Sequence, residues 1–165
     1  MNIYGVVGFK NAGKTGLMER LVSEITGRGF TVSTIKHAHH QFDIDQPGKD
    51  SYRHKRAGAS QTLLASSTRW ALMTELRGID EPPLAELIAQ LSPVDLVLVE
   101  GYKRDQHAKI EAYRGENDYP ILADEDPTVR AVAADCSIAV SQPVFDLDDT
   151  NAIADFILRD LGMAK

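Results

Sequence analysis

The apolar positions of this chain fall into short runs of strand length, interrupted by two helical stretches and several polar loops. Ile3-Tyr4-Gly5-Val6-Val7 reads as a strand. Leu17, Met18, Leu21, Val22 and Ile25 then recur at the spacing of one helix face, and Gly29 closes that helix. Thr31 to Ile35 reads as a second strand. A strand, a helix and a strand in succession form a βαβ unit, so these two strands are expected to run parallel.

A polar stretch without periodicity follows, from Lys36 to Ser51. It carries Lys36, His37, His39 and His40, then Asp43, Asp45 and Asp50. Its place after a strand marks it as a functional loop at the edge where ligands bind in open α/β sheets. Ser51 to Ala57 reads as a short basic helix, with Ser51 or Asp50 as N-cap and Gly58 as C-cap. Thr62–Ser66 and Trp70–Thr74 suit a hairpin, residues 77–83 a turn-rich connection, and Leu84–Leu91 a helix ended by Pro93. Asp95-Leu96-Val97-Leu98-Val99 is almost wholly apolar, the mark of a strand buried on both faces. Ile110–Arg114 alternates, and with Pro120–Ala123 it suggests a second hairpin-like addition. Short strands at Val129–Ala133 and Val144–Asp146 precede a terminal helix capped by Thr150, with Ile153, Phe156, Ile157 and Leu161 on its apolar face. The expectation is an α/β fold of the three-layer P-loop NTPase type, with a mixed, mostly parallel sheet and hairpin additions. Residues 1–165 are expected to form a single domain.

Composition changes this picture little. At 165 residues, 43% hydrophobic and 25% charged, the chain can bury a core without disulfides or metal. Its single cysteine, Cys136, cannot make an internal disulfide and suits a reducing compartment. No apolar run approaches the ~18 residues of a membrane span, and Met1-Asn2-Ile3-Tyr4 has no basic leader region, so cytoplasmic residence is expected. A net charge of −6 argues against nucleic acid as a partner.

Gly8-Phe9-Lys10-Asn11-Ala12-Gly13-Lys14-Thr15 changes it a great deal. These residues fit G-x-x-x-x-G-K-[ST] and stand between a strand and a helix, as a phosphate-binding loop must. Backbone N–H groups from Gly8 through Gly16 and the positive end of the helix dipole point at an anion there. Lys14 reaches the β/γ-phosphates, and the Thr15 hydroxyl binds Mg²⁺. Such a loop needs an acidic residue near the metal, and Glu100, ending the most apolar strand, is the natural candidate as metal ligand or orienter of water.

Other features leave alternatives open. The histidine loop reads as a nucleotide or Mg²⁺ loop, as a transition-metal site, or as a solvated surface. The basic helix (Arg53, His54, Lys55, Arg56) and the cations Lys103, Arg104 and Lys109 could bind a second anionic group or simply face solvent. Trp70 and Met73 read as core or interface. The guanine-reading tetrapeptide N/T-K-x-D is absent, and Asp124 and Asp135 are two weak substitutes. A small-molecule kinase and a metallochaperone GTPase both remain possible on these residues.

With the P-loop, the stretch Ile35–Ser51, Arg69-Trp70-Ala71-Leu72-Met73-Thr74-Glu75 and Val99-Glu100-Gly101-Tyr102-Lys103, the chain closely resembles the MobB family of molybdopterin-guanine dinucleotide biosynthesis, nearly end to end. The resemblance implies a homodimer that binds GTP with Mg²⁺, hydrolyses it weakly, and serves the MobA-type guanylyltransferase that joins GMP to molybdopterin. By position it places the phosphates on Gly8–Thr15 and the acidic strand-end role on Glu100. Asp45 is the expected additional Mg²⁺ ligand beside Thr15 and Glu100. Lys10 stands third in the loop, whereas dimerisation-type P-loops carry their signature lysine second, here Phe9, so no role across a dimer is assigned to Lys10.

Overall fold

The computed structural model describes residues 1–38 and 44–163 and divides into two compact units, Met1–His37 with Leu87–Lys165, and Ala38–Glu86. The first unit is built on a six-stranded sheet. Its strands are β1 (Asn2–Val7), β2 (Val32–Lys36), β5 (Leu96–Glu100), β6 (Lys109–Tyr113), β7 (Val129–Ala134) and β8 (Val144–Asp146), in the order β2-β5-β1-β6-β7-β8. Every pairing in this sheet is parallel. β1 and β2 are parallel as expected, with β5 inserted between them. The α/β, mostly parallel expectation therefore holds. Among the described residues, antiparallel pairing is confined to the second unit, where β3 (Gln61–Ala65) and β4 (Trp70–Thr74) form the expected hairpin.

One face of the sheet is covered by α1 (Lys14–Gly27) and α4 (Thr150–Asp160). Leu17, Leu21 and Ile25 of α1 and Ile153 and Ile157 of α4 meet Tyr4, Val6, Leu96, Leu98 and Ile110 in one fully buried cluster. At roughly 2 kcal/mol per fully buried large aliphatic side chain, this layer fixes α1 against β1 and hence the loop between them. Val7, Val129, Val132 and Ala134 pack on the other face beneath the 3₁₀ turn Leu122–Asp124 and residues Ile138 and Val140.

Several local expectations are corrected. Residues 110–123 do not form a hairpin addition. β6 lies in the middle of the sheet between β1 and β7, and Leu122–Asp124 is a 3₁₀ turn on the crossover to β7. The alternation in β6 misleads because its polar side chains are buried with partners. Lys109, fully buried, donates to the Asp105 carbonyl and the Thr128 hydroxyl and pairs with Asp126 at 3.3 Å. Glu111, also fully buried, accepts the Leu122 and Ala123 N–H groups at 3.0 Å each. Burial pushes the Glu111 carboxyl above the usual carboxylate range, and those two donors oppose the shift.

α4 is capped by Asp149, whose Oδ1 accepts the Ala152 N–H, while the Thr150 hydroxyl accepts from Arg20 Nε. In the second unit, α2 (Asp50–Ala57) begins one residue after Lys49 and ends, as expected, on Gly58 at φ 115°. The next helix, α3, spans only Leu84–Ile88.

Candidate functional site

β1 ends at Val7 and the chain turns at once into Gly8. Gly8, Asn11 and Gly13 have φ of 143°, 63° and 90°, a path that brings successive N–H groups to the inside of the loop. Gly13 precedes Lys14 without a side chain to cap α1, so the first-turn donors stay free for a ligand. Lys14 Nζ lies over this loop and donates to the Phe9 carbonyl oxygen at 2.6 Å.

The strand register carries Glu100 to the same place. In the parallel ladder Glu100 stands opposite Val6 of β1 on one side and Lys36 of β2 on the other. Its side chain is 11% exposed, Thr15 Oγ1 donates to its Oε1 at 3.3 Å, and Lys36 Nζ reaches its two oxygens at 3.1 and 3.2 Å. The same ammonium is 3.5 Å from Thr15 Oγ1. A cationic nitrogen thus already sits between the two oxygen donors expected to hold Mg²⁺, and hard oxygen donors suit that ion. The donor set fits.

Further cations surround Lys14. Burial pulls the Lys14 ammonium down from its ordinary pKa; Glu100 opposes this, and Lys103 and Lys36 add to it. Lys103 Nζ stands 3.9 Å from the centroid of the Phe9 ring, which stacks on Tyr119 at 4.7 Å, and burial lowers its pKa too, against the pull of Glu111. On the far side of the loop, a Cβ built on Gly13 lies 3.3 Å from Arg114 Nε and 3.2 Å from Leu147 Cδ2. Asn117 Nδ2 donates to the Asn11 carbonyl oxygen at 3.3 Å. The site is a rim of backbone donors at a helix N-terminus with an excess of positive charge, suited to a polyphosphate.

Of the site residues expected from sequence, Gly8 to Gly16 and Glu100 are brought together. Lys36, a cation of the polar loop after β2, is paired with Glu100. Asp45 lies in the second unit with its side chain 3% exposed and 3.7 Å from Lys55 Nζ. Lys55, from the basic helix, also lies 5.2 Å from the Tyr52 ring centroid. Lys109, weighed as an anion binder, is locked in the core instead. His39, His40 and Asp43 fall outside the described residues, and among the described residues no cluster of metal-binding side chains is found. Tyr119, Arg114 and Asn117 were not singled out from sequence. They reach the loop because β6 is the neighbour of β1, a fact of strand order that the alternating pattern hid.

A family model described as MobB, molybdopterin guanine dinucleotide synthesis protein B, matches residues 3–135. The chain belongs to the MobB family. It is 40% identical over 154 residues to the molybdopterin-guanine dinucleotide biosynthesis adapter protein of Escherichia coli strain K12, which covers 92% of this chain and 88% of that protein. The corresponding adapter protein of Haemophilus influenzae is 40% identical over 158 residues, or 94% and 86% of the two chains. Among solved structures, a MobB homolog from Bacillus stearothermophilus superposes with a TM-score of 0.75 at 30% identity, covering 99% of this chain and 100% of that one. Bacillus subtilis MobB gives 0.74 over 100% and 99%; at 24% identity it speaks for the fold alone. The MobB family model spans the P-loop, Glu100, Arg114 and Asp135 together, so the whole rim lies within the matched region.

Proposed function

We propose that this chain is a GTP-binding adapter in molybdopterin-guanine dinucleotide biosynthesis, with slow intrinsic GTP hydrolysis and residence in the cytoplasm. The observation that carries the nucleotide reading is the meeting of Thr15 and Glu100 at 3.3 Å beside the P-loop lysine. The adapter reading draws on the names of the curated relatives. Its partners by the same reasoning are a MobA-type guanylyltransferase and molybdopterin.

Thr15 and Glu100 are the residues that would hold Mg²⁺, which supplies charge neutralisation on the β- and γ-phosphates. Lys14 and the loop N–H groups orient the phosphates, and Lys103 adds charge at the Phe9 side. Glu100 is already engaged by Thr15 and Lys36, so it is a poor base for water, and slow turnover follows. Calorimetric titration of GTP with and without Mg²⁺ tests the assignment. The wild-type chain is expected to gain about tenfold in affinity with the metal, as one charge-assisted contact provides, and Glu100→Gln to lose that gain. An equal Mg²⁺ effect in both proteins removes Glu100 from the metal site. Fast phosphoryl transfer to a small-molecule acceptor would instead favour a kinase.

Homodimerisation belongs to the same proposal and is supported by the second unit. Its hairpin exposes Leu63 (59%), Trp70 (66%) and Leu72 (43%). A two-stranded hairpin is marginal by itself in water, and contiguous exposed apolar side chains mark a contact surface. Light scattering after size-exclusion chromatography is expected to give twice the 18.1 kDa chain mass. Trp70→Asp with Leu72→Asp is expected to weaken the dimer by at least about 100-fold, the loss of two apolar anchors. A monomeric wild-type chain at micromolar concentration overturns this part.

A further inference from the structure

We propose that Asp135 reads the base of the bound nucleotide, accepting hydrogen bonds from the two adjacent N–H donors on the Watson–Crick edge of guanine. This rests on the P-loop nucleotide reading above and adds the residue that sets base choice.

The sheet supplies the direction. On the side of β1 away from β5 come β6 and then β7, all parallel, so the three strands open their carboxyl ends on one edge. Ligands of open parallel sheets lie along that edge. The phosphates belong over the loop at the end of β1. Asp135 follows Ala134, the last residue of β7, two strands over. Two interstrand spacings are about 10 Å, the reach of a nucleoside from its phosphate to the far edge of its base.

Contacts join the loop to Asp135 without a break. Arg114, Gly115 and Asn117 follow β6, Asn117 bonding Asn11 of the P-loop and Arg114 lying against Gly13. Arg114 Nε is buried and has no hydrogen-bond partner among the described residues, a donor available beside the path of the nucleoside. Gly115 N donates to Asp135 Oδ1 at 2.9 Å, which fixes the carboxylate in orientation. Asp135 is exposed, and its Oδ2 has no hydrogen-bond partner among the described residues. A carboxylate offers about four lone-pair sites, so both oxygens can accept from a base while Gly115 is kept.

Other carboxylates lie farther along the sheet or serve elsewhere. Asp146 ends β8, one strand beyond β7, with its Oδ1 accepting the Asp148 N–H; Asp148 pairs with Arg20 at 3.3 Å, and Asp149 caps α4. Asp124, the other candidate from sequence, sits on the 3₁₀ turn of the β6–β7 crossover beside a separate depression lined by Pro127, Val140 and Gln142.

The chemistry is selective. Guanine presents N1–H and N2–H side by side to a fixed carboxylate. Adenine presents a lone pair at N1 and is repelled. Inosine keeps one of the two donors. Xanthine replaces the 2-amino group by a carbonyl and demands a donor from the protein. Asp135→Asn keeps an Oδ1 acceptor for Gly115 N and turns the other atom into an N–H donor, so the variant should fold and reverse its preference.

The test titrates GTP, ITP, XTP and ATP with Mg²⁺ into the full wild-type chain and into Asp135→Asn. The wild-type chain is expected to bind GTP about 100-fold more tightly than ATP, with ITP between them, because a polar site left unmatched rejects the wrong base strongly. Asp135→Asn is expected to lose about 100-fold for GTP and to bind XTP more tightly than GTP. An unchanged GTP, XTP and ATP order in Asp135→Asn overturns the proposal, as does a wild-type chain that binds ATP and GTP equally. Both of those outcomes leave the P-loop reading standing. A wild-type chain that binds no triphosphate removes both.

Discussion

Lys14→Ala is expected to abolish nucleotide binding while leaving the fold intact. The ammonium stands at the first position of α1, over a loop whose N–H donors converge, and its hydrogen bond to the Phe9 carbonyl shows that it can arch back across the loop. With a polyphosphate in place, that nitrogen would bring a full positive charge over the anion. One charge-assisted hydrogen bond is worth about 1.5–3 kcal/mol, and the Coulomb attraction of a half-buried cation adds to it. A loss of at least about 100-fold in GTP affinity is expected by calorimetry. Stability moves little, by about 0.5 kcal/mol, because Lys14 is not a core residue. Burial disfavours the charged form of Lys14 and Glu100 favours it, with Lys103 and Lys36 opposing it more weakly, so these effects offset one another when the side chain is removed. Unchanged GTP affinity in a folded Lys14→Ala protein refutes the nucleotide assignment.

The relation of sequence to structure differs between the two halves of this rim. Gly8–Thr15 and Glu100 were legible because each is defined locally. One is a glycine spacing between a strand and a helix, the other a carboxylate ending a five-residue strand that is buried throughout. Lys36 was legible as a loop cation but not in its role, since its pairing depends on β2 lying beside β5 rather than beside β1. Arg114, Asn117 and the orientation of Asp135 were hidden. Their approach to the loop depends on β6 being a central strand, and Lys109 and Glu111 gave β6 the alternation of a half-exposed one. Period reports polarity, whereas burial of polar side chains depends on partners outside the strand: Asp105 in the loop before it, and Leu122, Ala123 and Thr128 on the crossover after it. The same limit explains the helix caps. Asp149 and Thr150 are both acceptable N-cap types, and Thr150 is taken by Arg20, 130 residues away.

Gly8→Ala is expected to destabilise the chain by about 3 kcal/mol, the sum of an overpacked contact and a strained backbone. Gly8 has φ of 143°, where a side chain is strained whatever space is present. Space is also lacking. A Cβ there lies 2.4 Å from the Ala112 carbonyl oxygen and 3.2 Å from Ala12 Cβ. Ala112 belongs to β6, which is paired with β1 on one side and β7 on the other, so that carbonyl cannot retreat without opening a ladder. Shifting Gly8 instead moves the start of the phosphate loop, so GTP affinity falls together with stability. Gly16 supplies the internal control. It lies within α1 and its nearest neighbour to a Cβ is the flexible end of Arg20, at 3.5 Å. Gly16→Ala should therefore stabilise the chain by up to about 1 kcal/mol through helix propensity. Urea unfolding of the two variants beside the wild type measures both signs at once. A Gly8→Ala midpoint equal to that of the wild type would mean that the loop leaves β1 by another path.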